Sequence, residues 1–185
     1  GSITIVKDAQ PNDAQDFNFT ATGSGVSNFS LDDDSDNTLS NTKVFNNLVA
    51  GQYTFTEAAT AGWSLKNIVC PNGAVTVNGS TVTVNLAAGQ NLTCTFTNEK
   101  QAKLTIKKIT NPASSTQVFN FTTTGSGLSS FNLDTAAGGN PDSKQFTSLT
   151  PGAYSVTEGT VLDGNQQPLW DLTDLTCGGK VFTKN

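Results

Sequence analysis

Histidine and methionine are absent from this chain of 185 residues, and cysteine occurs only three times. Without histidine, a Ser-His-Asp or Cys-His catalytic site is excluded outright. Charge is scarce as well: 14% of residues are charged, the net charge is −5, and Lys and Arg form no cluster. A nucleic-acid footprint or a polybasic membrane contact is therefore not expected. No apolar run approaches the length of a membrane span or a signal-peptide core, so any export signal is expected to lie outside this chain. Helical periodicity of useful length is missing throughout. Gly1 and Ser2 read as a cloning remnant.

Thr and Asn fill the space, together about a quarter of the residues, a bias toward strands and turns. Short alternating runs separated by turn signals predict an all-β fold of antiparallel sandwiches. The runs are Ile3–Lys7, Asp16–Thr22, Ser27–Leu31, Lys43–Leu48, Gly51–Glu57, Ser64–Cys70, Ala74–Val77, Thr81–Leu86 and Leu92–Asn98. Asn72-Gly73, Asn78-Gly79, Ala50-Gly51 and Ala88-Gly89 mark turns between them.

The chain then says the same thing again. FTATGSGVSNFSLD (Phe19–Asp32) returns as FTTTGSGLSSFNLD (Phe121–Asp134), ITIVKD as LTIKKI, and AGQYTFTEA as PGAYSVTEG. A period of about one hundred residues predicts one small β-domain per copy. The boundaries read as Ile3 to Asn98 and Leu104 to Asn185, with a short linker at Glu99–Lys103 that is not Gly/Ser-rich. The second copy carries runs at Leu104–Lys108, Val118–Thr124, Ser129–Leu133, Lys144–Leu149, Ala153–Glu158 and Asp171–Cys177. It has no counterpart of the last two runs of the first copy, so its sandwich reads as incomplete, with an exposed edge. An early end of the chain is the plainer expectation; a strand supplied by another chain is the alternative.

Strand parity singles out three polar residues. Lys7 shares a face with Ile3 and Ile5, Glu57 with Tyr53 and Phe55, and Asn98 with Leu92, Cys94 and Phe96. The second copy repeats two of them, Lys108 and Glu158, in phase with Leu104, Ile106, Tyr154 and Val156; Lys107 is out of phase. Burying an isolated Lys or Glu is expensive, so repeating the placement asks for a chemical reason. A desolvated Lys becomes a neutral nucleophile, a desolvated Glu keeps its proton and can shuttle it, and Asn offers an electrophilic carboxamide whose nitrogen leaves as ammonia. The product is a Lys7–Asn98 isopeptide amide; the other reading of the triad is a buried Lys–Glu ion pair hydrogen-bonded to Asn. Cys70 and Cys94 form either a disulfide, which implies an oxidising compartment, or two buried thiols, while Cys177 matches Cys70 and has no partner in its own copy.

These residues carry a resemblance. The ITIVK opening, the AGQYTFTEAATAGW segment and the closing CTFTNEK resemble Cna protein B-type domains, also called SpaA-like or prealbumin-like. The resemblance spans both copies. It implies stalk domains of a bacterial cell-surface protein or adhesin, extracellular, with neighbouring domains of the same protein as partners. It implies Lys7 as nucleophile, Asn98 as acceptor and Glu57 as catalyst, with Lys108 and Glu158 matching in the second copy. Two departures stand out: the family's Pro after the catalytic acid is missing from EAATAGW, and the second copy has no acceptor in phase, Asn185 having the wrong parity. No enzyme activity on external substrates, no cofactor and no metal is expected.

A second function class is an adhesive or glycan-binding module without a cross-link, holding a host protein or sugar through a loop or through Trp63 and Trp170. Those tryptophans precede the cysteine-bearing runs and read more simply as packing. The Asp32, Asp33, Asp34 and Asp36 run lacks the spacing of a known calcium loop and reads as a solvated acidic loop. TGSG at Thr22–Gly25 and Thr124–Gly127 reads as a turn, since neither Lys nor helix follows.

Overall fold

The protein is described by a computed structural model that covers residues 1–36, 38–71, 73–178 and 180–182. Asn72 of the Asn72-Gly73 turn, Asn37 and Asn185 lie outside the described residues. Among the described residues the regular structure is strand, and no helix is long and apolar enough to cross a membrane. The chain divides into two compact units, Gly1–Ala102 with Thr147–Pro151, and Lys103–Phe146 with Gly152–Asn185.

Nine strands build the first: β1 (Ser2–Gln10), β2 (Asp13–Thr22), β3 (Phe29–Asp33), β4 (Thr42–Phe45), β5 (Gly51–Glu57), β6 (Trp63–Val69), β7 (Val75–Asn78), β8 (Thr81–Leu86) and β9 (Asn91–Lys100). They form two sheets, β4-β1-β9-β6 and β3-β2-β5-β8-β7. Alternation dictates which side chains enter the core. Along β1, Ile3, Ile5, Lys7 and Ala9 are buried while their neighbours are only partly so, and Tyr53, Phe55 and Glu57 do the same on β5. Each fully buried large apolar side chain contributes about 1.5–3 kcal/mol.

One pairing departs from the antiparallel pattern. β1 and β9 run parallel, Ile3 opposite Leu92, Lys7 opposite Phe96 and Ala9 opposite Asn98. Parallel neighbours cannot be joined by a tight hairpin, so the intervening strands serve as the crossover. β9 also extends through Lys100, which pairs with Trp63, and β10 starts at Ala102. Most of the segment read as a linker is therefore strand, because those residues find ladder partners.

The repeated TGSG has a packing explanation. Gly23 has φ 128° and Gly125 φ 120°. A Cβ on Gly23 would lie 2.4 Å from Tyr53 Cδ1, and one on Gly125 2.4 Å from Tyr154 Cδ1. Each glycine thus accepts both a left-handed backbone and a tyrosine ring lying against it, which only glycine does without strain.

The second unit contains β10 (Ala102–Lys107), β11 (Phe119–Thr124), β12 (Phe131–Leu133), β13 (Ser143–Leu149), β14 (Ser155–Glu158), β15 (Leu175–Cys177) and β16 (Lys180–Phe182). Its sheets are β10-β13, β12-β11-β14 and β15-β16. The run expected over Asp171–Cys177 is strand only at Leu175–Cys177. In the first unit the equivalent β6 is held along its length by β9, and a backbone without a ladder neighbour has no strand hydrogen bonds to make. Its core is correspondingly small, Phe119, Phe121 and Leu133 with partly buried neighbours that include Trp170.

Candidate functional site

Three strands from two sheets bring Lys7, Asn98 and Glu57 together. Lys7 and Asn98 sit on β1 and β9, diagonal neighbours on one face because Asn98 lies two residues beyond the residue opposite Lys7. Glu57 ends β5 on the facing sheet, opposite Phe19 of β2. The three are 1%, 4% and 3% exposed.

Lys7 Nζ donates to Asn98 Oδ1 at 2.9 Å, to the Phe96 carbonyl at 3.1 Å and to the Asp8 carbonyl at 3.3 Å. It stands 4.1 Å over the Phe17 ring and 3.5 Å from Glu57 Oε1. The end of β1 is pinned by Asp33, whose Oδ2 accepts the Ala9 N–H at 2.8 Å. Neither Glu57 carboxyl oxygen has a hydrogen-bond partner. Apart from the Lys7 amine 3.5 Å away, a carboxylate in that position would lose its hydration without replacement.

The electrostatics agree. Burial pushes the Glu57 carboxyl above its ordinary range, and the neighbouring Lys7 charge and Asn98 amide only partly oppose that. Burial likewise pulls the Lys7 amine below its ordinary range against the attraction of Glu57. Both shifts favour the neutral pair, amine and carboxylic acid. The site therefore holds an amine, a carboxamide and a carboxyl group together in one dry pocket.

Among the described residues, the second domain brings together two of the three groups. Lys108 Nζ donates to Glu158 Oε1 at 2.5 Å, with 12% and 18% of those side chains exposed, and it stands 4.1 Å over the Phe119 ring. The aromatic floor, Phe17 and Phe119, is the part of the site that parity of Lys, Glu and Asn missed. Its signal was the repeated Phe-Asn-Phe at Phe17–Phe19 and Phe119–Phe121.

Cys70 and Cys94 are joined as a disulfide between residues 24 apart, and Cys177 is free and exposed. Closing a loop of that length stabilises by about 3 kcal/mol in the chain-entropy picture. Reduction is expected to lower the unfolding free energy of the first domain by that amount, and so its denaturation midpoint, and to leave the second unmoved, as chemical denaturation with and without reductant would read. An unchanged first midpoint would sink the expectation.

Trp63 is 7% exposed and meets Phe17 edge-on, which removes it as a sugar platform. In the acidic loop, carboxylate oxygens of Asp32, Asp34 and Asp36 lie within 4.8 Å of one another. They bind their own loop: Asp34 accepts the Asp36 N–H, Asp36 the Thr38 N–H, and Asp32 the Thr38 hydroxyl.

In sequence, the family model for the SpaA-type prealbumin-like fold domain matches residues 3–100 and again 104–181. Among solved structures, the Bacillus anthracis TIE protein is 17% identical with a TM-score of 0.41, the match covering 98% of this chain and 30% of that one. A streptococcal ancillary pilin is 17% identical with a TM-score of 0.35, covering 100% of this chain and 58% of that one. A single B repeat unit of the collagen-binding surface protein of Staphylococcus aureus is 16% identical with a TM-score of 0.24, covering 90% and 91%. The chain thus spans less than two thirds of the length of the first two. No curated protein matches it.

Proposed function

Because the chain belongs to the SpaA-type prealbumin-like domain family over both repeats, we propose that it is a load-bearing spacer of a bacterial surface protein, with one domain over residues 3–98 and another over 104–185. The first domain closes itself with an amide between Lys7 and Asn98, and Glu57 catalyses the step. The observation that carries this reading is the burial of an amine, a carboxamide and an unpartnered carboxyl in mutual contact, drawn from three strands.

The chemistry proceeds within the pocket. Neutral Lys7 Nζ attacks Asn98 Cγ while the Glu57 acid polarises the carboxamide oxygen. Glu57 relays one proton from Nζ to Nδ2, the Cγ–Nδ2 bond breaks and ammonia leaves. The new Nζ–Cγ bond is an uncharged amide, and Glu57 ends as the acid it began. Fixed proximity supplies the effective concentration that free Lys and Asn lack. The reaction runs once per molecule, so the domain is a product of its own chemistry and no turnover on external substrate is involved.

The position of the bond gives it a mechanical use. It would join the first and last strands of the domain, so a pull on the two ends runs through a covalent link. It closes a loop between residues 91 apart, worth about 4–5 kcal/mol by chain entropy. Intact mass under reducing conditions tests the reading: the folded protein is expected to be lighter than its sequence by one ammonia, with a branched Lys7–Asn98 peptide after digestion. A folded protein at its full sequence mass would remove the bond.

A further inference from the structure

The ladder between β4 and β1 stops just where the reactive residues begin. β4 pairs with β1 from Ile3 to Val6, and the ladder closes with the Lys7 N–H, which donates to the Asn41 carbonyl at 2.7 Å. N–H groups of alternate residues point to the same edge of a strand, so the next one on that side belongs to Ala9. Ala9 is fully buried, and an unpaired N–H there would be costly. Its acceptor is a side chain rather than a strand: Asp33 Oδ2, at 2.8 Å. Asp33 is the last residue of β3, in the facing sheet, and is itself buried.

We propose that Asp33 is a positioning residue for the coupling of Lys7 to Asn98, its carboxylate standing in for the missing length of β4 and holding β1 in line with β9. The proposal rests on the reading of Lys7, Glu57 and Asn98 as a bond-forming triad. Ala9, the residue that Asp33 holds, is the one opposite Asn98 in the parallel ladder. Lys7 reaches Asn98 diagonally, Nζ to Oδ1 at 2.9 Å, so a shift at this end of β1 changes the approach of the amine to Asn98 Cγ. Charge does not explain the placement. Burial lowers the Lys7 amine below its ordinary range, and Asp33 is among the carboxylates whose charge opposes that. A carboxylate that keeps the amine protonated works against a neutral nucleophile, so its burial here needs another reason. The hydrogen bond to Ala9 supplies one, and Asn41 Nδ2 steadies the other oxygen, Oδ1, at 3.4 Å.

The second domain ties the same two positions together by different chemistry. The Lys108 N–H donates to the Asp142 carbonyl at 2.8 Å, as Lys7 does to Asn41. Two residues on, Thr110 is buried, and its hydroxyl meets that of Thr135 at 2.6 Å. Thr135 follows Asp134 in the repeated segment as Asp33 follows Asp32. Both domains thus join the residue two beyond the lysine to the residue after the repeated Leu-Asp. In the first domain the tie grips the main chain of β1, the part of the strand that sets its alignment beside Asn98.

The test follows ammonia loss from the full chain by intact mass, under reducing conditions, over a time course after expression. The wild type is expected to be complete at the first time point. Asp33→Ala should be roughly 100-fold slower, the cost of a small misalignment of reacting groups, and should show a full-mass population that closes with time. Asp33→Asn keeps an acceptor for the Ala9 N–H without the charge and should match the wild type. Asp33→Glu keeps the charge but displaces the acceptor by one methylene and should lag, which also serves if Asp33→Ala does not fold. Val84→Ala truncates a fully buried side chain of β8; it lowers stability away from the site and should close as fast as the wild type. A prompt loss in Asp33→Ala or Asp33→Glu, a delayed one in Asp33→Asn, or an equal delay in Val84→Ala overturns the positioning role alone. A folded wild type at its full sequence mass overturns the triad reading with it.

Discussion

Lys7→Ala is expected to lower the melting temperature of the first domain by roughly 20–35 °C, the shift that about 4–5 kcal/mol of lost loop closure produces in a domain of this size. Two effects act together. The variant cannot form the amide, so its unfolded state regains the freedom of a loop between residues 91 apart. It also removes the amine that stands 3.5 Å from the buried Glu57 carboxyl, although remaining protonated limits that cost. Asn98→Ala separates the two, since it too removes the amide but keeps Lys7 beside Glu57 at 3.5 Å. Calorimetry of both variants should show a large drop in each, with Lys7→Ala the lower. A drop under about 5 °C in both would mean that no covalent closure contributes to stability.

Glu57→Gln is expected to leave the domain folded but uncross-linked, heavier than the wild type by nearly one ammonia in intact mass. Glutamine keeps the shape of the acid and can still donate to the Asn98 oxygen, but it cannot carry a proton from Nζ to Nδ2. Losing a general acid–base group typically costs 10²–10⁴-fold in rate, so the bond should accumulate over days rather than with folding. The same variant tests the state of the carboxyl. Burial raises the folded pKa of Glu57 above its ordinary 4.5. A raised folded pKa means that its contribution to stability is complete below the unfolded value and is lost as pH rises through the folded one. In the cross-linked protein the lysine charge that opposes the rise is gone, which reinforces the direction. Melts across rising pH should therefore show the wild type losing stability relative to Glu57→Gln. Parallel curves would show that Glu57 holds no buried proton, and the same ammonia loss from both proteins, each relative to its own sequence mass, would show that it has no part in the reaction.

The contrast between the two domains shows how far one-dimensional pattern reaches. Parity along Ile3–Lys7, Tyr53–Glu57 and Leu92–Asn98 was enough to turn three polar groups inward, and all three are buried. Repetition marked Lys108 and Glu158, which do pair. Parity could not show that β1 and β9 run parallel, since alternation is the same in either direction. Nor did it find Phe17 under the amine, because a phenylalanine in a strand reads as core whatever it touches. The boundary between the two units falls inside the linker expected at Glu99–Lys103, between Ala102 and Lys103. Parity did not show that most of that segment is strand, since polar residues can be strand when a neighbour such as Trp63 pairs with them.

The sequence by itself determined most of the strands, the inward placement of Lys7, Glu57 and Asn98, and the repeated Lys and Glu positions, because side-chain alternation and turn propensity are properties of a single segment of chain. The tertiary structure alone decided that residues 91 apart stand 2.9 Å from each other, and that a carboxyl on the opposite sheet faces them. It also decided that Lys108 and Glu158 line one cavity. Distances of that kind depend on which strands lie side by side and which edges stay unpaired, and those are set by the packing of sheets rather than by any one strand.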